Sequence, residues 1–469
     1  MYKTKLIILL KSLHKKELKK FEYYINTPFF NTKKACIKLF NILSVSYPDF
    51  AEKEVARTVI FSKMFSQKKF QYNKLRYVMS DLTKLLEDFL AYCEYEKNAS
   101  EVNPFLLKAY ASKNINNHFE QTFAQQQKTL EEILLRDDAF FFQQFTIEKE
   151  RYNFNTLHDN HTKFDVESIL SQLDNFYIIN KLKFYCEILN NPTVVSVHYE
   201  MPSLIEEILN YIEQQEAALS PAIMVYYQIV KTLQDHDNEN NYEVLLAYLQ
   251  TYRHAFSDVE LNHIYIYIKN YCVKKINNGN KVYFKKLHDM YKLLLKEEII
   301  LYRNYLSEFD YKNIVTLGLG LKEFDYTKVF IEEYKKHLLP EVSKNAYTFN
   351  LAHFYFHTKN FQEVLSLLNE VVFTDSVYAL DTKVLMAKSF YELNEVGLLW
   401  GFLDTFSAYL RKSKNISDTQ RILYKRFISY LKKMTRINSL KEINKLREKI
   451  KDKPCGDSSW LLKKLNELE

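Results

Sequence analysis

The sequence predicts an all-α protein, organised as a right-handed α-solenoid of helix pairs with an N-terminal helical domain and a capping C-terminal helix. Two observations favour this fold. Two helix–turn–helix units follow each other with the period of a stacked helical repeat, and the 469-residue chain contains only 6 glycines. Glycine makes up ~7% of an average protein, and tight hairpin turns depend on it, so a glycine-poor chain with long apolar periodicity favours helices.

The repeat lies between Lys344 and Leu410. When the first unit is placed over the second with a shift of 35 positions, residues of similar size coincide. The matched pairs are Ala352 with Ala387, Tyr355 with Phe390, Phe361 with Val396, Val364 with Leu399, and Leu368 with Leu403. A period near ~34 residues with two helices per period is typical of stacked helical arrays.

These positions resemble the tetratricopeptide repeat (TPR). In that repeat a small residue lies where two helices cross, which corresponds to Ala352 and Ala387. The family's turn glycine is replaced here by Lys359 and Asn394, so the resemblance is to a divergent TPR-like protein. The whole chain is also similar to a family of helical-repeat proteins with no assigned activity, through SLHKKELKKF from Ser12, TPFFN from Thr27 and SSWLLKKLNEL from Ser458. Neither resemblance brings catalytic residues with it.

The helical pattern divides the chain into four segments. We predict an N-terminal helical domain over 1–100, a middle helical-repeat array over 101–308, TPR-like repeats over 309–410, and basic helices with a C-terminal cap over 411–469. The core of a single domain stops growing near ~250–300 residues, whereas a repeat array can be extended by further repeats.

The pattern also predicts two details of the helices. Ser12 is expected to cap a helix that begins near Leu13, and residues 281–306 are predicted to form one long helix.

The sequence shows no reaction centre. The first glycine is Gly279, and the chain contains no P-loop, no dinucleotide fingerprint and no G-x-S-x-G elbow. We therefore predict a non-enzymatic protein with no cofactor. The five cysteines are scattered, which predicts buried thiols in a reducing compartment, and no apolar run approaches the ~18 residues of a membrane span. The sequence thus predicts a cytoplasmic protein, with no prediction of its oligomeric state.

The TPR resemblance implies that the first helix of each pair lines a concave face. The residues expected on that face form a partner-binding groove with aromatic walls and mixed charge: Phe349, His353, Phe356, His357, Val384, Lys388, Tyr391 and Glu392. Such a groove suits an extended peptide or a partner helix, which predicts a protein–protein interaction scaffold. The alternative is that some of these aromatic residues pack against neighbouring helices.

One metal hypothesis arises in the same groove. His353 and His357 are four residues apart on one helix face, and Glu392 is expected beside His357 on the next repeat. Two histidines at this spacing can bind zinc. No H-E-x-x-H motif is present, so a surface histidine pair is the simpler interpretation and we predict no metal site.

The ends of the chain are basic and its body is acidic. Residues 1–34 carry a net charge of +7 and residues 411–453 carry +11, whereas residues 35–410 carry −10. A nucleic-acid-associated helical protein is therefore the alternative function, with Arg421, Lys425, Lys432 and Arg436 as the candidate contacts. Solvated lysine-rich faces on the terminal helices would produce the same pattern.

Overall fold

The computed structural model describes residues 1–65, 69–98, 103–158, 165–190, 199–215, 219–369, 376–413 and 416–469. Over these residues the regular structure is helical, and the only extended pairing is a bridge between Tyr302 and Tyr305. The predicted all-α class is confirmed. The chain forms two compact units, Met1–Ile178 and Ile179–Glu469, and the boundary between them falls inside one helix.

Unit 1 holds helices of very different length. They are α1 (Lys5–Ser12), α2 (Lys15–Asn26), α3 (Lys34–Ser44), α4 (Arg57–Met64), α5 (Tyr72–Asn98), α6 (Pro104–Ser112), α7 (Asn116–Glu132), α8 (Asp138–His158) and the first part of α9 (Val166–Asn190). The long helix α5 packs against α1, α2 and α3, and α6, α7 and α8 pack against one another. Phe21 meets Phe40 edge to face, with ring centroids 5.3 Å apart, in the core of the first group.

The predicted cap at Ser12 is wrong. Ser12 ends α1, and its hydroxyl donates a hydrogen bond back to the Leu9 carbonyl at 2.7 Å. The next helix is capped by His14, whose backbone N–H donates to the Glu17 carboxylate at 2.8 Å. Leu13 is buried between the two helices, so the chain needs an extended residue there before α2 can begin.

Unit 2 holds the rest of α9 and a long series of helices. They are α10 (Ile205–Gln214), α11 (Pro221–Gln234), α12 (Glu239–Tyr252), α13 (Asp258–Asn277), α14 (Val282–Lys296), α15 (Glu308–Gly320), α16 (Phe324–Tyr334), α17 (Pro340–His357), α18 (Phe361–Asn369), α19 (Ser376–Glu392), α20 (Val396–Lys412), α21 (Asp418–Met434), α22 (Leu440–Asp452) and α23 (Ser458–Glu467). Two 3₁₀ turns, Arg253–Ala255 and Lys335–His337, follow α12 and α16.

Neighbouring helices of unit 2 pack as consecutive pairs. The contacts within pairs join α11 to α12, α13 to α14, α15 to α16, α17 to α18 and α19 to α20. First helices also contact each other, as α11 with α13, α15 with α17, and α17 with α19. Each second helix from α14 to α20 contacts the first helix that follows it. This order of contacts brings α15, α17 and α19 side by side.

The same turn closes four successive pairs. Its tip has a positive φ of 92° at Gly279, 61° at Lys322, 64° at Lys359 and 60° at Asn394. The next residue donates its N–H to a carbonyl five residues back, and these bonds are Asn280 to Lys275 (3.0 Å), Glu323 to Gly318 (2.9 Å), Asn360 to Tyr355 (2.8 Å) and Glu395 to Phe390 (3.0 Å). This is the Schellman way of ending a helix. The turns therefore give the pairs a common register.

That register identifies one buried position in each pair. Three residues before each accepting carbonyl lie Cys272, Val315, Ala352 and Ala387, and all four are fully buried. The two alanines therefore lie at equivalent positions of α17 and α19, in one hydrophobic core.

The predicted single helix over 281–306 is wrong. The helix α14 ends at Lys296, and Glu298 adopts a left-handed conformation with φ of 55°. Beyond it Ile299 and Ile300 turn into the core, where each is 3% exposed. The apolar spacing continues past Lys296 because these isoleucines are core residues, although they no longer belong to the helix.

Candidate functional site

A cavity of about 220 Å³ lies within unit 2, where α15, α17, α19 and α21 meet the turn before α23. Its wall combines charged, aromatic and aliphatic side chains. The lining residues are Lys312, Thr316, Phe349, His353, Asp381, Val384, Leu385, Lys388, Tyr424, Gly456 and Asp457. Four residues of the predicted groove, Phe349, His353, Val384 and Lys388, are therefore brought together here.

The repeated turn explains why these side chains meet. Six residues before the carbonyl that closes each turn lie Lys312, Phe349 and Val384, and two residues before it lie Thr316, His353 and Lys388. Equivalent positions of α15, α17 and α19 thus point to one side of the helix row. Residues further along the chain, from α21 and the turn before α23, close the opposite side.

Two ion pairs cross the cavity wall. Lys312 of α15 pairs with Asp381 of α19, and the Tyr424 hydroxyl donates to Asp381 Oδ1 at 3.2 Å. Lys388 Nζ lies 2.5 Å from Asp457 Oδ2. Asp457 also accepts from the Trp460 N–H at 3.3 Å, so it caps α23 while it holds Lys388. The pairs tie the first helices to the C-terminal part of the unit.

Burial and these charges set the protonation states. Burial alone would raise the pKa of Asp457, but the Lys388 ammonium outweighs it and holds that pKa below its ordinary value. Burial lowers the pKa of His353 well below its ordinary value, and His357, Lys388 and Lys312 lower it further. His353 Nδ1 is buried and has no hydrogen-bond partner in the described part of the chain. The cavity therefore holds a neutral imidazole between two lysines.

Most aromatic residues of the predicted groove are packed into the core. Phe349 is 3% exposed and meets Tyr378 edge to face at 5.2 Å, and Phe356 is 8% exposed and contacts the Phe361 ring at 5.3 Å. Phe349 and Phe356 therefore pack against neighbouring residues in the core, as the alternative to the groove expects. His357, by contrast, is exposed.

The other end of the predicted groove is covered by the chain itself. The Tyr391 ring packs edge to face against Trp460 of α23 at 5.5 Å. Glu392 accepts hydrogen bonds from Trp460 Nε1 at 3.3 Å and from Lys464 Nζ at 2.7 Å. Together with the Lys388–Asp457 pair, these contacts join α23, which also packs on α21 and α22, to the side of α19 that carries Lys388, Tyr391 and Glu392.

The two histidines and Glu392 do not form a common site. The ring centroids of His353 and His357 are 5.0 Å apart, but Glu392 is engaged by Lys464 and Trp460. Throughout the part of the chain that the structure describes, no group of three histidine, cysteine or acidic side chains is arranged to hold a metal ion. The five cysteines are free thiols, and Cys93 is the one among them that is not buried.

Comparison with protein-family models, curated proteins and solved structures gives no match for this chain. Within the described ranges, none of the helices is long and apolar enough to cross a membrane. The function must therefore be argued from the geometry of the chain itself.

Sequence reasoning missed several residues of the cavity wall, among them Lys312, Tyr424 and Asp457. The equivalent of Lys312 could have been found, because α15 ends in the same turn, but its unit is offset from the next by 37 residues instead of 35. Asp457 is 69 residues from Lys388 and lies outside the repeat, so no periodic signal indicates their contact.

Three of the four predicted nucleic-acid contacts are engaged within the chain. Arg421 donates to the carbonyls of Ser413 and Ile416, at 3.0 and 3.2 Å. Lys432 pairs with Asp404 at 2.5 Å. The Arg436 guanidinium stacks on the Trp400 ring at 3.9 Å, and Lys425 is exposed on α21.

Proposed function

We propose that this chain is a divergent TPR-like α-solenoid that acts as a non-enzymatic scaffold, binding a peptide or partner helix on the face formed by its first helices. The contacts between consecutive pairs and the turn they share support the solenoid. A row of parallel first helices provides a continuous groove, which suits an extended or helical ligand.

The observation that carries the proposal is that this face already holds a helix. The inner face of α19 binds α23 through an aromatic pair, Tyr391 with Trp460, and through charged contacts at Lys388 and Glu392. Aromatic anchors and buried charge pairs of this kind dominate the energy of helix recognition in many interfaces. The same row of positions continues along α17, α15 and α13.

The inner positions of α15 and α13 are open. Nine residues before the closing carbonyl lie Ile266 in α13 and Phe309 in α15, and these side chains are 38% and 49% exposed. The equivalent residues nearer to α23 are the buried Ala346 and the half-buried Asp381. An apolar pair exposed on a row that elsewhere packs against a helix is the natural contact surface for a partner.

Affinity capture with matched variants tests this proposal. The double variant Ile266→Asp/Phe309→Asp places charge on the open positions, and Val329→Asp places the same charge on α16, where Val329 is 53% exposed. All three positions are solvent-exposed, so each variant should keep its fold within ~0.5 kcal/mol per substitution. A partner retained by the wild type and by Val329→Asp, but lost by the double variant, supports the groove. Equal retention by all three chains contradicts it.

Nucleic-acid binding is a second candidate, favoured by one observation. The neighbouring Lys449 ammonium, partial burial and the charge of Lys445 all lower the pKa of Lys433, so like charges gather between α21 and α22. An anion would relieve this repulsion, and a phosphate backbone supplies one at each nucleotide. The proposed contact is therefore Lys433, Lys445 and Lys449 together with the exposed Lys425.

A gel-shift titration distinguishes this candidate from the first. Affinity for a single-stranded oligonucleotide should fall steeply between 50 and 200 mM salt, by roughly tenfold or more for every few phosphates contacted. The triple variant Lys433→Gln/Lys445→Gln/Lys449→Gln should lose most of the binding. Binding that is absent, or that does not change with salt, removes nucleic acid as the ligand.

A further inference from the structure

We propose that the cavity between α15, α17 and α19 binds a small zwitterion that carries one carboxylate and one ammonium group at the two ends of a short carbon chain, of the class of ω-amino acids. This ligand site goes beyond the partner-binding face and does not depend on it. It rests on the arrangement of charges around the cavity, on its apolar middle and on its size.

Opposite charges lie at the two ends of the wall formed by α19. Asp381 and Lys388 are seven residues apart, which is about two helical turns or ~10 Å along the axis. Residues this far apart lie on the same helix face. A ligand lying along α19 therefore meets the Lys312–Asp381 pair at one end and the Lys388–Asp457 pair at the other.

The middle of the cavity is apolar. Val384 and Leu385 lie between the two charged residues on α19, and Phe349 faces them from α17. These three side chains are at most 8% exposed, so they form a fixed wall and offer no hydrogen bond. A ligand with charges at its ends and carbon between them matches this order of polar and apolar surface.

The Lys388 end provides donors for a carboxylate. The Lys388 side chain is 9% exposed, and the His353 ring lies on the neighbouring helix with Nδ1 buried and unpartnered. Because an unpaired buried donor is rarer in proteins than an unpaired acceptor, we assign the proton of the neutral ring to Nε2. The imidazole N–H and the Lys388 ammonium, which also binds Asp457, are then the donors that line this end of the cavity.

The Asp381 end provides acceptors for an ammonium group. Asp381 receives the Lys312 ammonium on one oxygen and the Tyr424 hydroxyl on the other. A carboxylate has about four acceptor positions, so two remain available. The four charged residues of the wall sum to zero, and a ligand with a net charge would leave one charge unbalanced in a partly buried site. A zwitterion has no net charge, so the total charge of the occupied site stays at zero.

The size of the cavity limits the ligand. Its 220 Å³ corresponds to about seven water molecules at ~30 Å³ each. That volume accommodates a short ω-amino acid, whereas drug-sized ligands and cofactors occupy ~300–1,000 Å³. Neither a nucleotide nor a partner helix fits inside it, so the zwitterion and the partner occupy different places on the same row of helices.

Calorimetric titration of the full-length chain, without any partner present, tests the proposal. The probes are 6-aminohexanoate and L-leucine, which separate a long zwitterion from an α-amino acid, and hexanoate and hexylamine, which carry one charge each. We expect saturable binding of 6-aminohexanoate with one site per chain, and at least tenfold weaker binding of L-leucine, whose two charged groups share one carbon. The two singly charged molecules should bind at least tenfold more weakly.

Two blocking variants and a control locate the site. Val384→Phe fills the apolar middle, and Thr316→Phe obstructs the rim from an exposed position that tolerates substitution. Val329→Phe adds the same ring on α16, away from the cavity wall. Zwitterion affinity should fall at least tenfold in both blocking variants and stay unchanged in the control. The proposal is overturned if 6-aminohexanoate does not bind, if L-leucine or a singly charged probe binds equally well, or if the folded Thr316→Phe variant binds like the wild type.

Discussion

Lys359 and Asn394 are 35 residues apart and occupy the same place in consecutive helix pairs, each at a left-handed φ of 64° or 60°. The residue after each one closes the turn with a hydrogen bond to the carbonyl of an aromatic residue, Tyr355 or Phe390. L-amino acids avoid this backbone region, which glycine occupies freely. Lys359 and Asn394 thus adopt the backbone conformation that a glycine would have in such a turn.

Replacing Lys359 by glycine should stabilise the protein. The left-handed conformation costs an L-residue roughly 1–2 kcal/mol, and the greater freedom of glycine in the unfolded chain returns about half of that. We expect Lys359→Gly to increase the free energy of unfolding by about 1 kcal/mol in urea titrations. Asn394→Gly should gain less, because asparagine tolerates this region. A loss of stability in Lys359→Gly would show that the lysine side chain matters more than its backbone.

Gly318 is required by a close helix contact. A methyl group at this position would overlap Thr327 Oγ1 of α16, which is 1% exposed and donates to the Glu323 carbonyl at 2.8 Å. Gly318→Ala should therefore lower the free energy of unfolding by about 1–3 kcal/mol. Gly401 in α20 has open space around it, so Gly401→Ala should instead raise stability by about 0.5–1 kcal/mol. Effects of the same sign at both positions in denaturant titrations would contradict the packing of α15 on α16.

A large side chain should not fit at the buried position of Ala352. Ala352 is fully buried, so Ala352→Leu is expected to overpack the contact and cost about 1–3 kcal/mol. Gln362→Leu adds a leucine at an exposed position of α18 and should change stability by less than ~0.5 kcal/mol. Melting temperatures measured by circular dichroism would compare the two variants. An unchanged melting temperature in Ala352→Leu argues against the register of the repeat.

Sequence periodicity predicted the parts of the fold that repeat. The shift of 35 residues identified Ala352 and Ala387 as equivalent, and both are fully buried. The spacing of apolar residues located most helices of unit 2. It failed over 281–306, because Ile299 and Ile300 continue the apolar pattern after the helix has ended. Periodicity reports burial, and burial does not require that the backbone stay helical.

The sequence predicted only part of the wall of the cavity. His353 and Lys388 follow from the repeat, because equivalent positions of neighbouring first helices share a face. Asp457 and Tyr424 come from outside the repeat and meet α19 through contacts that are distant in sequence. Tertiary packing alone decides such contacts, and no local pattern encodes them. The same applies to α23, whose place on α19 hides part of the expected groove.

The stability of the fold should depend on His353 below neutral pH. Burial lowers the pKa of His353 well below its ordinary value of 6.5. Between the two pKa values, the imidazole therefore binds a proton in the unfolded chain but not in the folded chain. This contribution is complete above pH 6.5 and is lost as the pH falls towards the folded-state pKa. One proton corresponds to at most ~1.4 kcal/mol per pH unit.

Unfolding measured between pH 8 and pH 5 checks this dependence. His353→Gln should show a shallower loss of stability with falling pH than the wild type, with the difference appearing below pH 6.5. Part of the slope should remain in the variant, because burial also lowers the pKa of His288. Identical pH profiles for the two chains would place His353 in contact with solvent.

If the face of the first helices binds helices, as we propose, the contact between Glu392 and Lys464 should stabilise the docking of α23 on it. Both side chains are 15% exposed, and the pair joins α19 to α23. A double-mutant cycle with Glu392→Gln and Lys464→Met measures their coupling in urea unfolding. We expect a coupling energy of about 0.5–3 kcal/mol in favour of the pair. A coupling of zero, with both single variants as stable as the wild type, would contradict it.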